Sequence, residues 1–244
     1  IGYNGGDVFI WSLETGLCEK QFRWNSDRYW GKKLNIINYT KCIFGSYDGC
    51  YYIYDICTGK QMRSTPAPAR WIDVTAVMPD GKRCIIRSYG INKLWISDVS
   101  TGEISLEFDN GSRPIKDVRL TSDGRLCAIM SNDKSIRIWD IEHNATYRLK
   151  GHADNILSID VFPDNRHCVS GSYDGTMRIW DMYSKKCIQT VKGIEHGYPF
   201  MRVAAFPDGM YCIGGSSLGS MHIWNINTGE CTSSFSGGQN YISC

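Results

Sequence analysis

What the sequence lacks narrows its possibilities before any motif is read. No apolar run approaches the roughly 20 residues needed to cross a bilayer as a helix, and the chain opens on Ile1 rather than on a basic stretch leading into an apolar one. A membrane is therefore not expected as a partner, and no targeting address is visible. No block of like charge occurs either: 27 Lys+Arg face 25 Asp+Glu, a net +2 at pH 7. Such a balance offers neither a phosphate-tracking stripe nor a polybasic anchor, so nucleic acid is not expected. No Cys-x-x-Cys pair exists among the 11 cysteines, and the five histidines (His143, His152, His167, His196, His222) are scattered, so no zinc site and no cofactor are expected. Nucleotide-loop and protein-kinase motifs are absent. No long stretch has helical period.

What is present is glycine (25 residues) and aromatic side chains (12%), a composition that suits many short strands joined by tight turns. An all-β chain is expected. Its organisation follows from self-similarity. FIWSLETG (Phe9 to Gly16), YIYDICTG (Tyr52 to Gly59), WISDVSTG (Trp95 to Gly102), IRIWDIEH (Ile136 to His143), MRIWDMYS (Met177 to Ser184) and MHIWNINTG (Met221 to Gly229) align. They place Trp11, Tyr54, Ser97, Trp139, Trp180 and Trp224 in one slot, separated by 43, 43, 42, 41 and 44 residues. That period lies inside the roughly 40–45 residues of a four-stranded propeller blade.

The best copy runs from Gly151 to Val191 and resembles the WD-repeat family, in which Gly-His opens the unit, Ser-x-Asp forms a turn between strands b and c, and Trp-Asp closes strand c. The resemblance covers essentially the whole chain. It implies a β-propeller of four-stranded antiparallel blades, five complete and two partial. It also implies a buried hydrogen-bonded tetrad, which by motif position is His152, Ser170, Asp174 and Trp180. A buried carboxylate and imidazole cost several kcal/mol unless paired, and a closed network can satisfy every member. The tetrad is thus read as structural, and a Ser-His-Asp hydrolase, which needs an exposed nucleophile beside an oxyanion site, is disfavoured. Other copies depart from the pattern. Asp48 and Asp133 keep the turn Asp, and His196 precedes Trp224 as His152 precedes Trp180, but Phe44, Ile129 and Gly214 replace the strand-b Ser. The third copy holds Ser97 in the Trp slot, its register recovered from Thr101-Gly102, and is expected to be the softest.

The cysteines follow the same register. Cys42, Cys127, Cys168 and Cys212 stand 12 residues before the slot and Cys84 stands 13 before it, while Cys18, Cys187 and Cys231 stand seven after it. Equivalent sites in successive blades lie beyond the roughly 7 Å between Cα atoms that a disulfide spans, so all are expected to be core packers. Reduced thiols place the chain in the cytoplasm or nucleus, and the sequons at Asn38, Asn110 and Asn144 are read as chance occurrences in polar turns. The repeats run approximately over 1–20, 21–64, 65–108, 109–150, 151–192, 193–236 and a partial 237–244. The chain opens inside a strand b and is read as a fragment of a longer protein. Closure as a six-bladed ring would lack about a dozen residues; seven or eight blades fit as well.

Rigid blades leave recognition to loops. In WD-repeat proteins, partner contacts often use the narrow face, where the residue before the turn Asp and the residues opening strand a converge. Carried over by register, the turn positions are Tyr47, Asn132, Tyr173 and Ser217, with Tyr89 or Gly90 in the third copy. The strand-a positions are Tyr29, Trp71, Asp73, Pro114, Lys116, Asn155, Leu157, Pro199, Met201, Tyr241 and Ser243. The set is aromatic and nearly uncharged, as interface anchors tend to be. The expectation is a non-catalytic scaffold that binds proteins or peptides, with no small-molecule substrate and with an apolar or aromatic ligand favoured over an acidic motif. The alternative is a sensing or autoinhibitory arm of a larger NTPase or kinase. A propeller enzyme with a channel metal or nucleophile ranks last.

Overall fold

The computed structural model describes residues 2–4, 7–12, 14–23, 34–88, 90–131, 133–192 and 199–236. All its regular elements are strands. β1 (Gly2–Asn4), β2 (Asp7–Trp11) and β3 (Cys18–Arg23) form a three-stranded sheet; β4 (Leu34–Asn38), β5 (Lys41–Gly45), β6 (Cys50–Asp55) and β7 (Gln61–Pro66) form the second sheet. The third comprises β8 (Ile72–Val77), β9 (Arg83–Ser88), β10 (Lys93–Asp98) and β11 (Ile104–Asp109). The fourth comprises β12 (Ile115–Leu120), β13 (Leu126–Ser131), β14 (Ser135–Asp140) and β15 (Ala145–Lys150). β16 (Ile156–Val161), β17 (His167–Ser172), β18 (Thr176–Asp181) and β19 (Lys186–Lys192) form the fifth, and β20 (Phe200–Ala205), β21 (Tyr211–Ser216), β22 (Ser220–Asn225) and β23 (Cys231–Ser236) the sixth.

Five four-stranded sheets therefore follow one another, each an antiparallel meander of strands a to d, which is the build of propeller blades. In a meander the a–b and c–d turns share one end and the b–c turn the other. The chain divides into two compact units, Ile1–Gly111 and Ser112–Cys244.

In the first unit the core joins the second and third sheets through Ile43, Tyr51, Ile53, Ile72, Val74, Cys84, Ile86 and Val99. β8 crosses β5 at Gly45, where an added Cβ would lie 2.3 Å from the Ile72 carbonyl oxygen. Only glycine allows that approach. In the second unit one core runs from the fourth sheet into the fifth around Trp180, and another from the fifth into the sixth around Phe200 and Trp224. Each fully buried aromatic or branched side chain contributes about 1.5–3 kcal/mol relative to exposure, so these inter-sheet contacts carry much of each unit's stability. The pairing of strands c and d shifts register at the slot residue, at Trp11, Tyr54, Ser97, Trp180 and Trp224; the fourth sheet pairs there without a shift.

The cysteines divide by strand. Cys42, Cys84, Cys127, Cys168 and Cys212 on strands b are buried. Contrary to expectation, Cys18 and Cys231 are exposed and Cys187 only half-buried: strand d is the outer strand of its sheet, and its alternate residues face solvent, as in β19. All ten described cysteines are unpaired. Asn110 of the middle sequon is buried, at 1% exposure, which closes it to glycosylation. Among the described residues, no helix is long and apolar enough to cross a membrane.

Candidate functional site

In the fifth sheet, β17, β18 and the segment before β16 bring four side chains together. His152 Nδ1 lies 2.8 Å from Asp174 Oδ2, His152 Nε2 lies 2.7 Å from Ser170 Oγ, and Trp180 Nε1 donates to Ser170 Oγ at 2.8 Å. Burial pushes the Asp174 carboxyl up, but hydrogen bonds from Thr176, His152 and the Ala153 amide outweigh it and hold the group at about 2. An ionised Asp174 accepts only, so Nδ1 carries the imidazole proton and Nε2 accepts from the Ser170 hydroxyl, whose oxygen accepts from the indole. The relay is closed. Burial lowers the His152 pKa, with Asp174 opposing it. Ser170 is fully buried and both its hydrogen-bonding roles are taken, so this Ser-His-Asp arrangement has no nucleophile to offer a substrate.

The tetrad pins the b–c turn and exposes its neighbour. Tyr173, 50% exposed, donates its amide to the Asn155 carbonyl at 3.0 Å, which ties the turn to the start of strand a. In the second sheet Asp48 does the same work with other partners, accepting from the Cys50 amide and from the Tyr52 hydroxyl. Beside it Tyr47 accepts at its carbonyl from the Trp71 amide, and the two rings meet edge-on at 6.1 Å. Trp71 is 54% exposed and has φ +57°. For a bulky non-glycine residue that conformation costs of order 1–3 kcal/mol and persists only when its surroundings impose it.

Comparison with known proteins agrees with the sheet pattern. The WD domain, G-beta repeat family (WD40) matches residues 103–140 and 144–181. Two repeats of this chain thus match the WD40 family. It is 30% identical over 135 residues, 55% of its length and 44% of the relative's, to WD repeat-containing protein SL1-17 of Schistosoma mansoni. It is 24% identical over 140 residues, 54% of its length and 19% of the relative's, to Protein groucho of Drosophila melanogaster. The matches span less than half of either relative. WD40 domains serve generally as protein-interaction scaffolds.

The remaining rim positions fall unevenly. Tyr29, Tyr89, Asn132, Tyr241 and Ser243 lie outside the described residues, as does His196. Gly90, Pro114 and Lys116 are exposed; Asn155, Leu157, Pro199, Met201 and Ser217 are half-buried. Asp73 differs from the rest. It is buried and meets Arg87, its cross-strand partner, at 2.7 Å, so its carboxylate is committed inside the third sheet and is not presented at the rim. By strand pairing Ile86 stands where Ser170 stands in the fifth sheet, so the third sheet has an apolar side chain in place of the relay hydroxyl. Arg87 stands one residue on, at the position of Gly171.

The structure also brings together groups that the motif register missed. Asp133 Oδ2 has Arg113, Arg137 and Arg148 within 2.5, 4.0 and 3.7 Å; burial pushes its carboxyl up, but Ser135, Ser131 and Arg113 hold it below its ordinary value. Three guanidiniums thus stand in the fourth sheet where the fifth uses one imidazole. The face there is more cationic than the aromatic rim positions imply, and only a count of arginines at the flanking positions would have signalled it. In the sixth sheet the turn Asp is replaced by Leu218, 46% exposed. In the third, Ser97 accepts or donates with the Tyr51 hydroxyl at 3.0 Å while Trp95, two residues earlier, donates to Glu107. Among the described residues no group of three or more His, Cys, Asp or Glu could hold a metal ion.

Proposed function

We propose that this chain is a non-catalytic docking domain that holds apolar or aromatic peptide segments at the b–c turn end of its sheets, in a reducing compartment such as the cytoplasm or nucleus. The observation that carries this reading is Trp71, exposed, in left-handed backbone, and braced by the ring and carbonyl of Tyr47. An indole held rigid before binding loses little rotamer freedom on contact, which is the property of an anchor. Tyr173 supplies a second exposed ring, on a backbone tied to Asn155, with Leu157, Pro199 and Met201 as half-buried apolar surface in its own unit and Pro114 and Lys116 exposed there. Unpaired cysteines support the reducing compartment.

The test is affinity capture with the full-length protein, comparing wild type with the triple variant Tyr47→Ala, Trp71→Ala, Tyr173→Ala. Trp71 and Tyr173 are exposed and Tyr47 is half-buried, packed mainly against Trp71, so the variant should keep its melting temperature within a few degrees and lose its captured proteins. Capture of the same proteins at the same yield would sink the reading.

A further inference from the structure

A second site lies in the first unit, at the opposite end of the sheets from the b–c turns. A cleft of about 530 Å³ opens there between the second and third sheets, lined by Ile37, Asn38, Lys41, Ile53, Met62, Arg63, Gly81, Lys82, Asp98, Val99 and Ser100. Its volume is that of a ligand pocket. Its floor is the side of the core, with Ile53 and Val99 buried and Ile37 half-buried. Met62, Arg63 and Lys82 are exposed at its mouth.

The charges in this cleft do not cancel. Lys41, Arg63 and Lys82 contribute three cations, and among the described residues none makes an ion pair. The acids nearby are committed to their own turns. Asp98 accepts at Oδ1 from the Ser100 amide, the Ser100 hydroxyl and the Thr101 amide at 2.6–2.8 Å. Asp80 receives the Lys82 and Arg83 amides and the Arg83 guanidinium, and Asp55 receives the amide and hydroxyl of Thr58. Asp98 is the one acid lining the cleft, against three cations beside an apolar floor.

We infer that this cleft binds a partner peptide that sets an acidic side chain beside an apolar one, the carboxylate against Lys41, Arg63 and Lys82 and the apolar group on Met62, Ile37 and Ile53. A free small anion would use the cations but leave the apolar floor uncovered; a peptide covers both. The site is independent of the Tyr47 and Trp71 surface and would let one chain hold two segments at once.

The experiment is fluorescence anisotropy on the full-length protein with a labelled Gly-Glu-Leu-Glu-Gly peptide, a Gly-Gln-Leu-Gln-Gly control, and inorganic phosphate as competitor. The acidic peptide should bind saturably and the neutral one at least tenfold more weakly. Lys41→Gln, Arg63→Gln, Lys82→Gln together should weaken binding tenfold or more, while the triple alanine variant of Tyr47, Trp71 and Tyr173 should leave it unchanged. Met62→Glu, which places a carboxylate at the mouth from within the chain, should abolish binding with the melting temperature retained, and it serves if the triple glutamine variant does not fold. Equal binding by the glutamine variant or by Met62→Glu, absence of saturable binding, or loss of binding in the alanine variant would overturn the proposal. So would competition by phosphate at concentrations as low as those of unlabelled peptide, which would mark a small-anion site.

Discussion

The tetrad is read most directly at His152, because a single proton decides its state. Its ring is buried and its Nδ1 faces an ionised Asp174, with the Thr176 hydroxyl also near. Burial lowers the imidazole pKa below its ordinary value of 6.5. As pH falls through about 6.5 the unfolded chain therefore takes up a proton that the folded chain resists. Stability from this residue is complete above that pH and declines below it. Replacing His152 by Ala should cost about 1–3 kcal/mol at pH 7.5, since Ser170 and Asp174 each lose a partner in a buried setting. The cost should be smaller at pH 5.5. Urea unfolding of both proteins at the two pH values gives the difference; a cost that stays constant or grows on acidification would show that the ring is not held neutral. All four members of the network were legible by motif position alone. The polar pairings elsewhere were not: the Asp73–Arg87 ion pair and Tyr51 reaching Ser97 join residues distant in sequence, and no local pattern forecasts them.

Among strands, the period of 41 to 44 residues foretold four-stranded units, because each sheet has two apolar faces that only a neighbour can cover. Less visible was what lets neighbours approach. Gly45, Gly171 and Gly215 each stand nine residues before their slot residue, and a Cβ at Gly45 or Gly171 would meet the first strand of the following sheet. That recurrence was in the sequence, but glycine is common in turns and nothing local marks these positions as crossings. At Gly171 the clash is partly with side chains, Phe200 Cβ and Val203 Cγ1 at 2.9 Å, while at Gly45 it is with the backbone of Ile72 and Asp73. Side chains can shift where a backbone paired in a sheet cannot. Gly45→Ala should therefore destabilise by about 3 kcal/mol, at or beyond the usual 1–3 kcal/mol of overpacking, and Gly171→Ala by less. Urea midpoints at constant slope would check the order, and equal midpoints would contradict the crossing at β8.

For the molecule as a whole, cysteine burial is a map of which strand faces inward. Five thiols on strands b are shut in: burial pushes Cys42 up to about 11, Cys84 and Cys212 to about 12, and Cys127 and Cys168 further in the same direction. The reactive species is the thiolate, and reaction also needs access, so these five are inert in the folded state. Cys18, Cys57 and Cys231 are exposed. The sequence register grouped the thiols correctly by strand but treated strand d as core, because recurrence alone does not say which side of a sheet a neighbour covers. Titration with a thiol reagent at pH 8, followed by peptide mapping, should label Cys18, Cys57 and Cys231 within seconds to minutes. Cys42, Cys84, Cys127, Cys168 and Cys212 should label only at the rate of unfolding or in denaturant. Fast labelling of any strand-b cysteine would mean that its sheet opens well below the global unfolding free energy. Were that cysteine Cys84, the third sheet would be the weak element that its missing slot Trp suggests, despite the Asp73–Arg87 pair buried within it.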